Sequence, residues 1–381
     1  MNSKTITQRI NSIDALRGLV IILMLLDHVR ERFFYNHPVA DPMILETTEP
    51  GLFWSRFAAH FCAPIFVFLT GLSAWLYQQK HDGSPSVARE FLWKRGLFLV
   101  ILELTVINFS WFGAYETLYL QVIWVIGLCM LILGACVNLP YRLLFLLALL
   151  IVAGHNALDF IHLKPGEWGY TAWTILHDRG YILQSDALSI RASYPLLPWI
   201  GVILLGYAAG PLYSKSFSSE RRAYWLLGLT TFCLAGFLLL RGFNIYGETQ
   251  AWSQQESLAA TARAIFNVTK YPPSLNFLQI TFAGMFAMLY LMERLQGKWT
   301  EVLTAFGGAP MFFYIVHLYV LLLLYTLATA VLGAPEEGFM SLPNIYWVWL
   351  TTIVLAALLY KPTQVFNRYK RRSNKAWVKY L

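Results

Sequence analysis

Ten stretches of this chain are apolar for long enough to cross a bilayer, and that pattern limits the fold more than any single motif. A helix covers the hydrocarbon core with about 20 residues. The stretches run roughly over 13–34, 52–78, 96–112, 117–139, 141–163, 193–213, 223–242, 273–294, 303–332 and 344–361. The expected fold class is therefore all-α: a polytopic transmembrane helical bundle of about ten spans, forming one integral-membrane unit over 1–381. The third stretch is short and the ninth long, so a tilt or a break is expected there. Composition agrees. Charged residues make up 13% of the chain, against about 25% in soluble proteins, which excludes a string of soluble domains. With 14 Trp, 21 Tyr and 26 Phe the chain is too rich in large apolar side chains to stay disordered. Cys62, Cys129, Cys136 and Cys233 lie inside apolar runs, with neither a disulfide framework nor metal-ligand spacing. The first stretch follows a polar, basic leader without a small-residue cleavage site, so it reads as a retained span rather than a signal peptide.

Basic residues set the expected orientation. A net charge of +8 can indicate nucleic acid, but here the cations lie between apolar segments rather than on one soluble face. With the N-terminus inside, only Arg30, Arg32, Arg56, Lys164, Arg179, Arg191, Arg241, Arg263 and Lys270 fall on the outer face. The other twenty of the 29 Lys and Arg, Lys4 and Arg9 among them, fall inside. The outer loops carry acids instead, such as Asp41, Glu46, Glu49, Glu336 and Glu337. Positive charge collects on the cytoplasmic side, so both termini are expected there, including the basic tail 362–381. In a bacterium the corresponding location is the inner membrane. Two outer loops, about 164–192 and 243–272, are long enough to cover a site. The second has helix-like sequence from Gln254 to Asn267. No internal repeat of the transporter type is present.

Ionisable residues inside spans are costly and mark functional sites by default. The first span carries Asp14 and Arg17 near its cytoplasmic end and Asp27 and His28 near its outer end. From Arg17 to His28 an α-helix turns about 1100°, three turns plus about 20°, and rises about 16 Å. The two therefore share one stripe, with Asp14 within about 60° of it. Asp14 and Arg17 at i,i+3 can equally form an ion pair that anchors the helix end. Gly18 leaves room beside Arg17 for a ligand or a second helix. Arg56 and His60 share a face at i,i+4 in the second span, and Pro64 should kink that helix. Glu103 lies about 12 Å past Arg95, near mid-bilayer, where a carboxylate must be paired, protonated or set in a polar cavity. His155, Asp159 and His162 fall on one helical stripe near an outer end, a pattern better explained by interfacial polarity than by a metal site. Gly307-Gly308-Ala309-Pro310 should break the ninth span, and His317 lies roughly 20 Å along it. No phosphate loop, dinucleotide fingerprint, nucleophile elbow or zinc-protease motif is present.

Ile13-Asp14-Ala15-Leu16-Arg17-Gly18, with ten residues between Arg17 and His28, resembles the signature of transmembrane acyltransferases. That superfamily includes the acyltransferase-3 enzymes and the heparan-alpha-glucosaminide N-acetyltransferase family, and the chain is most similar to bacterial relatives of the latter. Ala63-Pro64-Ile65-Phe66-Val67-Phe68-Leu69-Thr70-Gly71 resembles their second span and Leu120-Gln121-Val122-Ile123-Trp124-Val125-Ile126-Gly127 their fourth. Lys270-Tyr271-Pro272-Pro273-Ser274 and Phe313-Tyr314-Ile315-Val316-His317 resemble the late spans. In the animal members the position matching His28 resembles an Asn with a His further along, and this chain also carries His37.

The resemblance implies acyl transfer across the membrane, from cytoplasmic acetyl-CoA or another acyl-CoA as co-substrate to an amine or hydroxyl of an extracytoplasmic sugar or glycan. No metal is implied. His28 matches the catalytic histidine, as general base or acyl carrier, and Arg17 the motif arginine on the donor side. His317 and Glu103 are expected to join His28 in catalysis. Asp14, Asp27, Arg56, His60 and Lys270 are expected in substrate or donor binding. Coenzyme A phosphates call for Arg or Lys, and the cytoplasmic rim offers Arg17, Lys94, Arg95, Arg221 and Arg222. Asp27 lies about 100° from His28 on an ideal helix, so Glu103 or a backbone carbonyl is expected to orient the imidazole. The rival reading is a proton-coupled transporter or flippase, which also needs buried His, Glu and Arg. Association into a homo-oligomer is compatible with the sequence.

Overall fold

Serine and asparagine mark several helix starts, where the first amides of a helix lack intrahelical acceptors. Ser218 accepts from the Arg221 amide at 3.2 Å, Ser257 from Ala260 at 3.1 Å, Ser274 from Phe277 at 2.9 Å and Asn344 from Tyr346 at 3.1 Å. The computed structural model describes residues 11–295, 297–333, 340–375 and 377–381. Lys4, Arg9, Glu336 and Glu337, counted above in the charge asymmetry, lie outside the described residues.

The helices are α1 (Asn11–Phe33), α2 (Pro50–His60), α3 (Cys62–Lys80), α4 (Pro85–Leu102), α5 (Asn108–Phe112), α6 (Val122–Cys136), α7 (Tyr141–Gly154), α8 (Tyr170–Leu176), α9 (Leu196–Ala208), α10 (Ser219–Gly242), α11 (Leu258–Phe266), α12 (Leu275–Arg294), α13 (Lys298–Gly307), α14 (Pro310–Leu332) and α15 (Ile345–Arg372). Among the described residues seven helical stretches are long and apolar enough to cross a membrane: Pro50–Lys80, Tyr141–Leu158, Leu196–Tyr213, Ser219–Gly242, Leu275–Arg294, Pro310–Leu332 and Ile345–Arg372. Val122–Cys136 is apolar but shorter. The first and third expected stretches are helical too. They are α1, which carries Asp14, Arg17 and Asp27 within it, and α4, which continues through a π-turn (Glu103–Ile107) into α5. Exposed Leu150, Phe232, Leu238, Leu323 and Ile353 lie on α7, α10, α14 and α15, forming an apolar outer surface suited to lipid.

The all-helical expectation needs one correction. A small three-stranded sheet, of order β1-β3-β2, joins β1 (Thr117–Leu120), β2 (Gly180–Gln184) and β3 (Ser189–Ala192). β2 and β3 form an antiparallel hairpin inside the first long loop, and β3 pairs in parallel with β1. The fourth expected stretch therefore starts as a strand, with Thr117–Leu120 paired to Ser189–Ala192 and the Tyr119 amide and carbonyl bonded to the Asn108 side chain, leaving a helix of 15 residues. The second long loop holds α11, where helical sequence was expected.

Two spans break where imino acids and glycine demand it. The second divides at Phe61, because Pro64 has no N–H for the His60 carbonyl and its ring crowds that position. The ninth divides after Gly307. Pro310 then opens α14 at its first position, where a missing N–H costs nothing. Small residues also set the closest helix crossing. A Cβ on Gly18 would lie 1.9 Å from the Leu303 carbonyl oxygen, and one on Gly307 would lie 1.8 Å from the Asp14 carbonyl oxygen. The space beside Arg17 is thus taken by α13, backbone to backbone. The second long loop is held from below by Arg241. Its guanidinium donates to the carbonyls of Gln250, Ala264, Ile265 and Asn267 at 2.6–3.1 Å, which caps the C-terminus of α11.

Candidate active site

Arg17 is held in place by both ends of its neighbourhood. One nitrogen lies 3.1 Å from Asp14 Oδ1, the i,i+3 pair legible in the sequence, and another donates to Ser73 Oγ and to the Leu69 carbonyl of α3. Arg17 also lines a cavity of about 310 Å³ between α1, α3, α4, α6 and α14. Arg95 from α4 and Lys370 from α15 line it as well, so three cations face one space. The walls between are largely apolar, with Phe66, Phe91 and Leu99 among them, and Tyr314 of α14 also lines the space. Pro310 and Met311 bring the N-terminal, positive end of α14 to it. Lys94 instead pairs with Glu90 on the surface at 2.5 Å. Arg222 pairs with Glu293 at 2.7 Å and lines a separate pocket. The cationic rim expected from sequence is thus corrected: Arg95 belongs to the Arg17 cavity, Lys94 and Arg222 do not, and Lys370 takes their place.

Tyr314 links this cavity to His28. Its ring meets His28 edge-on at 5.7 Å and His317 at 5.5 Å. His28 Nδ1 and His317 Nε2 are 2.7 Å apart, and the two rings are inclined by only 12°. His317 Nδ1 lies 2.8 Å from the Phe313 carbonyl. A carbonyl only accepts, so Nδ1 of His317 carries its proton. With both rings neutral, His317 Nε2 is then the acceptor and His28 Nδ1 the donor. The lone pair of His28 is left on Nε2. The partner that orients His28 is therefore a second imidazole, neither Glu103 nor a backbone carbonyl as expected. That expectation failed because Glu103 is used elsewhere. Its Oε2 accepts from the Trp124 amide at 3.2 Å, capping the buried start of α6, while Oε1 has no hydrogen-bond partner among the described residues.

The C-terminal end of α1 holds a buried ion cluster. Asp27 accepts from Arg30 at 2.8 and 3.0 Å and from Arg56 of α2 at 3.0 Å. Asp27, Arg56, His60 and Lys270 are all buried, and none lines the cavity that holds Arg17. His60 packs against Phe57 and Phe277, and neither ring nitrogen has a partner among the described residues. Lys270 Nζ lies 5.2 Å from the Tyr271 ring, and its amide donates to Asp41. His37 is exposed and stacks on Phe34. The His155–Asp159–His162 stripe does not survive either. α7 ends at Gly154 and a 3₁₀ turn follows, so His155 turns inward to the Pro273 carbonyl at 2.8 Å while His162 meets Asp178 outside. Among the described residues no group of three or more His, Cys, Asp or Glu is placed to hold a metal ion.

Sequence reasoning missed Tyr314, Trp111, Arg30 and Lys370. Tyr314 stands one helical turn before His317, a spacing that could have flagged it. Trp111, edge-on to His28 at 5.1 Å, and Lys370 come from distant segments and left no local signal.

No curated protein matches the chain. The family described as heparan-alpha-glucosaminide N-acetyltransferase, catalytic, matches residues 9–233, which include Arg17, His28 and Arg95. His317, Tyr314 and Lys370 lie beyond that match. Since it covers more than half of the sequence, the chain belongs to the heparan-alpha-glucosaminide N-acetyltransferase catalytic family, a family of membrane N-acetyltransferases.

Proposed function

We propose that this protein moves an acetyl group from cytoplasmic acetyl-CoA to an amine or hydroxyl of an extracytoplasmic sugar or glycan. The reading takes the bundle as ten crossings of a bacterial inner membrane with both termini inside. The observation that carries it is one cavity lined by Arg17, Arg95 and Lys370 and also by Tyr314, which touches the His28–His317 pair. Three cations suit the phosphates of coenzyme A. Largely apolar walls suit its pantetheine arm, and a space of about 310 Å³ is at the small end of ligand pockets.

In this reading Nε2 of His28 takes the proton of the acceptor N–H or O–H. The acceptor atom bonds to the thioester carbonyl carbon, the C–S bond breaks, and the proton passes from His28 to the departing sulfur, leaving free coenzyme A. His317 holds the tautomer that keeps Nε2 basic, and it shares the charge when His28 is protonated. General base catalysis of this kind contributes about 10²–10⁴ in rate.

The test uses purified full-length protein in lipid nanodiscs. Acetyl-CoA binding and slow release of free thiol are measured for wild type, His28→Ala and Arg17→Ala. Loss of thiol release with binding retained in His28→Ala, and weakened binding in Arg17→Ala, are expected. If no acyl-CoA binds the wild type, the donor assignment fails and a proton-coupled carrier becomes the better reading.

A further inference from the structure

Tyr314 is 3% exposed, and among the described residues its hydroxyl has no hydrogen-bond partner. Leaving a buried hydroxyl unpaired costs about 1–3 kcal/mol, and a phenylalanine would fill the same place without that cost. The hydroxyl is therefore placed for something that enters the cavity its side chain lines. Trp111 offers a useful contrast. Its indole N–H is also buried without a partner beside His28, but Trp111 does not line the cavity. Among the described residues, Tyr314 alone combines an unpaired donor, a place in the cavity wall and ring contact with both histidines. It also sits one helical turn before His317, so the hydrogen bond that fixes His317 to Phe313 fixes the same stretch of backbone.

The geometry points to Tyr314 as the donor that stabilises the oxyanion formed on the thioester carbonyl oxygen. The inference rests on the acyl-transfer reading above. When the acceptor atom bonds to the carbonyl carbon, the π electrons of C=O move onto oxygen, and the Tyr314 O–H donates to that oxygen without giving up its proton. Collapse restores C=O and expels the thiolate, which is protonated from His28. A hydrogen bond that strengthens as charge develops acts on the transition state more than on binding.

The experiment compares wild type with Tyr314→Phe, and with a fluorinated tyrosine at position 314 whose O–H is a stronger donor in nearly the same volume. Acetyl-CoA carrying an isotope label on the thioester carbonyl is bound to each, and its infrared stretch is recorded together with kcat and KM. The expected result is a carbonyl stretch that rises in frequency in Tyr314→Phe and falls with fluorotyrosine. In Tyr314→Phe, kcat should drop roughly 10²–10³-fold, as for other oxyanion donors, with KM changed less than about threefold. An unchanged stretch in both variants overturns the oxyanion role, even if kcat falls, and leaves acyl transfer intact. Failure of wild type to bind acetyl-CoA overturns both. If Tyr314→Phe does not fold, the direction of the fluorotyrosine shift decides the matter.

Discussion

His28 and His317, 289 residues apart in the chain, meet through one hydrogen bond of 2.7 Å between Nδ1 of the first and Nε2 of the second. The Phe313 carbonyl, 2.8 Å from the far nitrogen of His317, sets the direction of the pair. Replacing His317 with Ala removes the acceptor for His28 Nδ1–H and frees the tautomer. Thiol release should fall by about 10²–10⁴ with acetyl-CoA affinity unchanged. His317→Gln, whose amide oxygen can still accept, should retain more activity than His317→Ala. Equal rates in the two variants would count against the tautomer argument.

The Arg95 and Lys370 side chains should be read out by the phosphate-bearing part of the donor. Each charge-assisted contact is worth about 1.5–3 kcal/mol, so Arg95→Ala or Lys370→Ala should raise KM for acetyl-CoA about tenfold or more. Acetyl-pantetheine lacks the nucleotide phosphates, and its KM should stay the same in both variants. An equal loss for the two donors would place these cations outside the phosphate site.

Asp27 neutralises two buried guanidiniums, Arg30 and Arg56. Removing one partner of a buried ion pair costs about 3–5 kcal/mol because the other charge is left uncompensated. Asp27→Asn should therefore lower the thermal unfolding temperature strongly. Asp27→Asn combined with Arg56→Met should recover part of that loss. Additive losses in a double-mutant cycle would show that the two side chains do not depend on each other.

Gly18→Ala puts a methyl group 1.9 Å from the Leu303 carbonyl oxygen, so α1 and α13 must move apart. Overpacking of this kind costs about 1–3 kcal/mol. Gly228 on α10 has nothing within 4 Å of the same added atom, and Gly228→Ala should be stabilising by about 0.5–1 kcal/mol, the ordinary gain in a helix interior. Thermal unfolding of the two variants in one detergent should move in opposite directions.

His177 ties the first long loop to the end of α7 and gives a pH dependence. Burial works against its charge. An ion-pair contact with Asp159 at 3.3 Å and hydrogen bonds with Asp178 at 3.2 Å and the His155 carbonyl outweigh it, and the pKa is raised above 6.5. A raised histidine adds stability that is fully present below its unfolded pKa and is lost as pH rises through the folded value. Proteolysis within 164–192 should accordingly be slow at pH 6 and faster at pH 9, and the His177→Asn variant should show no such difference. A faster cut at pH 6 in wild type would reverse the sign and defeat the argument.

Whatever depends on neighbours along the chain was legible in the residues alone. Helical stretches follow from runs of apolar residues, the breaks at Phe61 and Gly308 from Pro64 and Pro310, and the Asp14–Arg17 pair from i,i+3 spacing. The place of His28, three turns above Arg17, follows from the pitch of one helix. Tertiary structure alone decided which groups from different segments meet. It gave His28 an imidazole from α14 while Glu103 went to the start of α6. It put Arg56 on Asp27, and it brought Lys370 rather than Lys94 or Arg222 to the Arg17 cavity. The small sheet joining 117–120 to 189–192 is of the same kind. Spacing fixes direction only within a helix, whose pitch is constant. Contacts between helices depend on how closely they pass, here set by Gly18 against Leu303 and Gly307 against Asp14, and no local periodicity records that.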